Sequence, residues 1–219
     1  MTMIEALLGD SWPLLIIGAI TTFKLWVTSS CFSLVLGLIW GVLRANHLRF
    51  PYLSYGIDGV TFVLRGLPFY IQLLIAYFML PFIIGMDISA YTASFIALGL
   101  CSSGYVSQIV RGGINAIPVG QWEAAQVLGY SLYQTIWYVI MPQALRIIVP
   151  ALVGECDQLL KSTAVVSAIG VFELTGAGRN IITQEMNPIA IYTILALAYL
   201  SMSTLLAQFA RWLERRLAV

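Results

Sequence analysis

Charge is what this sequence has least of: 10% of its 219 residues are Asp, Glu, Lys or Arg, against about 25% in soluble domains. The 11 basic residues nearly cancel the 10 acidic ones, so the chain lacks the basic field that nucleic-acid-binding proteins use. With 60% hydrophobic residues and a mean hydropathy of +0.89, it carries more apolar surface than a soluble protein of this length could bury. These features indicate an integral membrane protein.

Residues that bind metals or form disulfides are equally scarce. The cysteines Cys31, Cys101 and Cys156 lie far apart in apolar segments, without the paired spacing of a zinc site or a disulfide framework. The single histidine, His47, excludes a histidine-based metal site. We therefore expect no metal site and no catalytic residue in this chain.

Long apolar stretches make up most of the sequence, and a helix that crosses about 30 Å of hydrocarbon needs about 20 such residues. Six stretches qualify, of which residues 124–145 are the most polar. If all six crossed the membrane, Arg211, Arg215 and Arg216 would lie outside, against the cytoplasmic preference of basic residues. We therefore predict an all-α fold in a single domain, residues 1–219, with the N-terminus outside and the C-terminus in the cytoplasm. The five predicted spans are approximately 14–43, 60–86, 88–110, 147–172 and 189–211.

A second five-span arrangement stays open on hydropathy alone. It passes residues 124–145 through the membrane and leaves residues 147–188 outside, which places Arg146, Lys161 and Arg179 on the face that basic residues avoid. In the first arrangement, residues 112–146 form a cytoplasmic loop. A motif in that loop favours the first arrangement.

The loop motif has a recognisable spacing: a Glu-Ala-Ala triplet, a glycine four residues after its last alanine, and an Ile-x-Pro about ten residues further on. This pattern resembles the EAA loop of ABC-importer membrane subunits. The coupling residues that the resemblance implies are Gly120, Glu123, Ala124, Ala125, Gly129 and Pro142.

Flanking motifs narrow the resemblance to the polar amino acid permeases of the histidine, glutamine and arginine type. They occur in family order between about Trp12 and Arg216, so the resemblance covers nearly the whole chain. The motifs are Arg65-Gly66-Leu67-Pro68 with Gln72, Ser103-Gly104-Tyr105, Arg111-Gly112-Gly113-Ile114, Leu159-Leu160-Lys161-Ser162-Thr163 and Leu213-Glu214-Arg215-Arg216.

The resemblance implies a permease subunit of an ATP-driven amino acid importer in the bacterial inner membrane. A cytoplasmic coupling helix between spans three and four would dock on an ATPase subunit. Glu123 near the start of that helix would interact favourably with its dipole, and Gly129 would cap its end with a positive φ. Neither of the two lysines, Lys24 and Lys161, stands in a P-loop, so we expect the chain to be no enzyme and to bind no cofactor.

The resemblance also implies a set of partners. ATP and magnesium would bind to the separate ATPase subunits. A second permease subunit, identical or homologous, would complete the pathway, and an extracytoplasmic substrate-binding protein would deliver the amino acid. Membrane lipid surrounds such a chain, and nucleic acid is no partner.

Ionisable side chains inside the predicted spans are candidates for the substrate pathway. Asp157 and Lys161 are four residues apart, so we expect them to pair on one helix face. Two interpretations of Glu155 stay open. In one, it lines the translocation pathway and binds the substrate's ammonium group or basic side chain. In the other, it forms a salt bridge with Arg65 that braces two helices. The candidate pathway residues are Glu155, Asp157, Arg65, Gln72, Gln108 and Lys161.

The chain departs from the family pattern at three acidic positions, where it has Phe62, Gln108 and Ser162 instead. These replacements leave the particular amino acid open, although the acids in the spans favour a basic one. Two other functions also stay open: a secondary transporter that uses Glu155 and Asp157 as a proton relay, and a membrane scaffold without transport.

Overall fold

The computed structural model describes residues 3–46 and 51–217, and every regular element in these ranges is a helix. His47 lies outside the described residues. Two π-helical stretches, Ile75–Met79 and Thr135–Ile140, precede α4 and α8, and the 3-10 helix Thr163–Ile169 follows α8. The α-helices in chain order are α1 Met3–Leu43, α2 Pro51–Gly66, α3 Phe69–Leu74, α4 Leu80–Ile84, α5 Ala90–Asn115, α6 Val119–Val127, α7 Leu132–Gln134, α8 Met141–Ser162, α9 Leu174–Glu185 and α10 Pro188–Leu217.

Several helical stretches are long and apolar enough to cross a membrane. At 1.5 Å per residue, even the shorter ones reach roughly 39 Å, which exceeds the hydrocarbon thickness of about 30 Å. A fifth candidate is the pair Pro51–Gly66 and Phe69–Ile84, if its two halves form one span. The predicted all-α membrane fold is thus confirmed. Among the residues that the structure describes, the four single stretches are Ser11–Leu43, Ala90–Asn115, Leu132–Ile169 and Pro188–Leu213.

The predicted second span, residues 60–86, contains an interruption between Gly66 and Phe69. Pro68 is the N-cap residue of α3 and has no N–H to donate into a continuous helix. The Nε2 of Gln72 donates a hydrogen bond to the carbonyl of Leu67 over 2.9 Å. Gln72 thereby satisfies a backbone acceptor that the interruption leaves open. That residues 60–86 cross the membrane as one span stays a prediction.

Helix occupies much of the predicted loop, residues 112–146. Helix α5 continues to Asn115, α6 follows after Pro118, and a continuous helical stretch begins at Leu132. That stretch, Leu132–Ile169, has 38 residues and hence a length of roughly 57 Å, nearly twice the hydrocarbon thickness. Part of it must therefore extend beyond the membrane. The predicted fourth span, residues 147–172, begins near the middle of this stretch and continues three residues past its end.

The chain forms two compact units, each assembled from three segments. Unit 1 consists of Met1–Cys31, Leu67–Gly99 and Asp157–Leu206, and unit 2 of Phe32–Gly66, Leu100–Cys156 and Ala207–Val219. Unit 1 has one core around Leu73, Ala97 and Val166, and another around Leu15, Ile181 and Ile191.

The core of unit 2 joins α5, α6 and α8 through apolar side chains such as Ile114, Trp122 and Ile148. Helix α1 approaches α5 closely, because a Cβ atom at Gly41 would lie 2.5 Å from the side chain of Val110. A row of small residues permits this kind of close packing between membrane helices. The core thus fixes α6, the helix of the loop motif, against two candidate spans.

Candidate functional site

Helix α6 contains the Glu-Ala-Ala triplet and has one buried and one exposed side. Trp122 and Ala125 are buried in the core of unit 2. Glu123 and Ala124 are exposed, as is Gly120 in the first turn. The small side chains of the exposed side leave room for another protein to approach the backbone closely.

Beyond the triplet, the exposed side becomes strongly apolar. Val127 is 88% exposed and Leu128 is 73% exposed. Tyr130, Tyr133 and Tyr138 are also exposed just after the helix. Aromatic and apolar side chains displayed together in this way are typical of the centre of a protein interface.

Gly129 ends α6 in the way that its spacing predicts. Its φ of 78° lies in the left-handed region that favours glycine. The N–H of Gly129 donates to the carbonyl of Gln126, and the N–H of Tyr130 donates to the carbonyl of Ala125. This pair of hydrogen bonds is a Schellman motif, which stops the helix and turns the chain sharply.

Glu123 is not where the sequence analysis placed it. We expected it near the start of the helix, but α6 begins at Val119 and has no acidic residue in its first turn. Because the effect of the helix dipole fades within the first turn, Glu123 gains little from it. Its carboxylate is instead free to face solvent or a partner.

The stretch after α6 begins with a capping box, in which Ser131 and Gln134 each bond the other's backbone N–H. Pro142 is exposed in the helix that follows, directly after the π-helical stretch Thr135–Ile140. The Nε2 of Gln143 donates to the carbonyl of Val139 over 2.7 Å and to the Oε1 of Gln121 over 3.2 Å. The second bond ties α6 to α8.

Glu155 lies on α8 in unit 2, with a half-buried side chain. Its Oε1 accepts a hydrogen bond of 2.7 Å from the hydroxyl of Ser102. The predicted alternative, a salt bridge to Arg65, is wrong for this structure, because within the described residues no ion pair joins the two side chains. Arg65 instead donates through Nε to the carbonyl of Thr61, over 3.2 Å, on its own helix.

Two glutamines were predicted to offer polar groups in the pathway. The amide of Gln72 is buried and bonds the backbone of Leu67, so at least one of its donors serves the fold and not a ligand. Gln108 on α5 is half-buried, and its Oε1 is buried without a hydrogen-bond partner among the described residues. Of the two, Gln108 has the acceptor that a ligand could use.

Asp157 and Lys161 form the predicted pair in unit 1, with 2.5 Å between Oδ2 and Nζ. The hydroxyl of Ser203 on α10 donates to the other oxygen of Asp157. Asp157 is thus engaged by two groups, one of them cationic. The role of the pair in transport stays a prediction.

An ionic network around the buried Arg44 in unit 2 was missed by the sequence analysis. Arg44 is 3% exposed, and its Nε lies 2.6 Å from Oδ1 of Asp58, while its Nη1 donates to Ser107 over 2.8 Å. Arg111 lies 3.4 Å from the same carboxylate oxygen. The sequence places Arg44 directly after a predicted span, where a basic residue is usually solvated. The separation of 14 positions between Arg44 and Asp58 does not indicate that they pair.

Glu173 is a second residue that the sequence analysis missed. It is fully buried in unit 1 and caps α9 by accepting hydrogen bonds from the N–H groups of Thr175 and Gly176. The hydroxyls of Thr22 and Tyr199 donate to the same carboxylate. Burial raises the pKa of the Glu173 carboxyl, and these hydrogen bonds act in the opposite direction.

Comparisons with known proteins agree on one family. The family described as "Binding-protein-dependent transport system inner membrane component" matches residues 33–219. The glutamine transport system permease protein GlnP of Escherichia coli (strain K12) is 34% identical over 214 residues, covering 94% of each chain. The arginine transport system permease protein ArtQ of Bacillus subtilis (strain 168) is 34% identical over 205 residues, covering 94% of this chain and 93% of the relative.

Solved structures give the same result. The crystal structure of an amino acid ABC transporter with histidines contains a chain of 35% identity and TM-score 0.86, covering 93% of this chain and 94% of that one. A chain of the inward-facing MetNI methionine ABC transporter shares the fold at 22% identity, with a TM-score of 0.80 over 93% of this chain and 96% of that one. The chain therefore belongs to the family of inner membrane components of binding-protein-dependent transport systems.

Proposed function

We propose that this chain is the membrane-spanning permease subunit of an ATP-driven importer of polar amino acids. The observation that carries the proposal is α6, which is anchored through Trp122 and Ala125 and displays the rest of its motif. Permeases for glutamine and for arginine are among its relatives, which supports a polar amino acid as substrate.

The proposed role of α6 is to couple the permease to an ATPase subunit. The exposed surface formed by Glu123, Ala124, Val127 and Leu128 would dock on that partner. Movement of α6 would reach α8 through the shared core and through the hydrogen bond between Gln121 and Gln143. ATP and magnesium would bind to the partner, and its ATP-driven closure would bias the permease between inward- and outward-facing states.

Glu155 is the proposed contact for a cationic group of the substrate. It is half-buried, and its one described polar partner is the neutral hydroxyl of Ser102. A carboxylate in an apolar setting binds an ammonium or guanidinium strongly, because water competes poorly there. Asp157 already has Lys161 as its cation, which makes it the weaker candidate.

The proposed orientation rests on where the basic residues fall in the five-span order of the sequence. Seven of the eleven Lys and Arg residues then lie in cytoplasmic segments, three lie in or beside spans, and Arg179 lies outside. Basic residues accumulate on the cytoplasmic side of membrane proteins. This supports a cytoplasmic coupling helix and C-terminus, and five spans then place the N-terminus outside.

The proposed assembly contains two permease subunits, two ATPase subunits and an extracytoplasmic substrate-binding protein in the bacterial inner membrane. Gentle extraction of the tagged chain from native membranes, followed by mass spectrometry, tests it. We expect a stoichiometric ATPase subunit that is lost in a Val127→Asp, Leu128→Asp double variant. A matched control is Tyr52→Asp/Leu53→Asp, an exposed pair in the first turn of α2 ahead of the predicted span 60–86, which should keep the ATPase.

Recovery of the chain without any ATPase, under conditions that preserve related complexes, would contradict the proposal. It would then favour the secondary transporter or the scaffold.

A further inference from the structure

Unit 1 contains a cavity of about 400 Å³ beside α9. One wall is a single face of α9, formed at helical spacing by Gly176, Arg179, Asn180 and Thr183. Ser167 and Phe172, from the segment before the helix, also line the cavity. A volume of this size falls within the range of about 300–1,000 Å³ that is usual for small-molecule sites.

The walls of the cavity are held in place by specific contacts. A Cβ atom at Gly176 would lie 2.6 Å from the carbonyl oxygen of Val171, so a glycine is needed where α9 passes the preceding segment. Gly170 turns that segment with a φ of 86°. Glu173 fastens the start of α9 through its bonds to Thr175 and Gly176 and to the two neighbouring helices.

The lining of the cavity has the chemistry of an anion site. Arg179 is its one charged side chain, and within the described residues Arg179 has no ion-pair partner. The side-chain amide of Asn180 adds N–H groups that can donate hydrogen bonds. The hydroxyls of Thr183 and Ser167 also line the cavity, but they donate to the carbonyls of Asn180 and Ala164. Glu173 does not line the cavity, and its oxygens already accept four hydrogen bonds.

We propose that this cavity binds a carboxylate through Arg179, with the side-chain amide of Asn180 as a supporting donor. A guanidinium bonds a carboxylate through two parallel N–H groups, which gives direction as well as strength. The inference rests on the proposed function, in which α9 lies outside the cytoplasm between the last two spans. The carboxylate then belongs either to an acidic side chain of the substrate-binding protein or to the free amino acid.

The test uses the purified complex of this chain with its ATPase, reconstituted in nanodiscs. One arm titrates the source organism's amino acid-binding protein and measures the concentration that half-maximally stimulates ATP hydrolysis. The other arm measures binding of radiolabelled L-arginine and L-glutamine without the binding protein. Both arms compare wild type with Arg179→Gln and with Glu185→Gln, an exposed charge change on the same helix outside the cavity.

We expect Arg179→Gln to weaken one of the two interactions about tenfold, as the loss of a charge-assisted pair implies. A shift in the first arm assigns the carboxylate to the binding protein, and a shift in the second assigns it to the amino acid. Glu185→Gln should change neither. If Arg179→Gln changes neither value, or if Glu185→Gln matches its effect, the inference is overturned.

A second variant covers a failure of assembly, and the wild-type complex separates this inference from the proposed function. Should Arg179→Gln fail to assemble, Arg179→Lys replaces it, because lysine keeps the charge but loses the planar fork, and the same shift is expected at smaller size. A wild-type complex that does not hydrolyse ATP overturns the proposed function together with the binding-protein source. The amino acid arm still decides whether Arg179 binds a carboxylate.

Discussion

Gln143 donates a hydrogen bond from its Nε2 to the Oε1 of Gln121, and the two side chains thereby join α8 to the exposed helix α6. Both residues lie in unit 2, where α6 and α8 also share an apolar core. The bond gives a displacement of α6 a direct route into a helix that is long enough to cross the membrane.

Removal of this bond should weaken coupling without detaching the ATPase. One such hydrogen bond contributes about 0.5–1.5 kcal/mol, so we expect Gln143→Ala to lower ATP-driven uptake by about two- to tenfold. Uptake by reconstituted complexes, together with the ATPase content of each preparation, measures the effect. Gln208→Ala, an exposed glutamine on α10, serves as the control and should behave as wild type. Equal uptake by wild type and Gln143→Ala would show that the bond carries no coupling.

Gly129→Ala should destabilise the turn at the end of α6. A residue with a Cβ pays roughly 1–2 kcal/mol in the left-handed region that Gly129 occupies at φ 78°. We expect a thermal midpoint a few degrees lower and a smaller fraction of chain bound to the ATPase. Gly112→Ala is the matched control, because a Cβ atom there meets open space at an ordinary φ. An unchanged midpoint and full ATPase binding in Gly129→Ala would rule out the strain.

Glu155→Gln should change the substrate preference of transport and leave the amount of folded protein nearly unchanged. The amide keeps the size and the bond from Ser102 but loses the charge, and a charged hydrogen bond contributes about 1.5–3 kcal/mol. We expect arginine uptake to fall about tenfold or more relative to glutamine uptake. Competition between the two labelled amino acids in the same vesicles gives the ratio.

The control for this variant is Glu185→Gln, which removes an exposed charge at the end of α9. A wild-type ratio of arginine to glutamine uptake in Glu155→Gln would remove Glu155 from the substrate pathway.

Gly41→Ala tests the close packing of α1 on α5. The added methyl group would lie 2.5 Å from the side chain of Val110, and overpacking of this kind costs about 1–3 kcal/mol. We expect a lower thermal midpoint in detergent. Gly56→Ala on the exposed side of α2 meets nothing within 4 Å and should leave the midpoint unchanged or slightly raised. Equal midpoints for the two variants would mean that the helices can separate without loss.

Local patterns predicted the parts of the site that depend on neighbours in the chain. The position of Gly129 after the triplet foretold the end of α6, and the spacing of Asp157 and Lys161 foretold their pair. The capping box of Ser131 and Gln134 is another local pattern, which marks the helix start at Leu132, but the sequence analysis did not use it.

Contacts between distant segments could not be predicted in this way. Glu173 and Thr22 are separated by 151 positions, and no periodicity in a single sequence reports such a pairing. Arg44 follows a span, where a basic residue ordinarily reads as solvated, yet it is buried against Asp58. Burial of charge inside an otherwise apolar chain is decided by packing, which only the three-dimensional structure reveals.

The most direct test of the account is uptake of a labelled polar amino acid into proteoliposomes that contain the purified complex and its binding protein. With ATP accessible to the ATPase subunits, the account predicts accumulation that stops when ATP is withheld and is indifferent to a proton or sodium gradient. Accumulation driven by an ion gradient, in vesicles that contain this chain alone and no ATP, would contradict it.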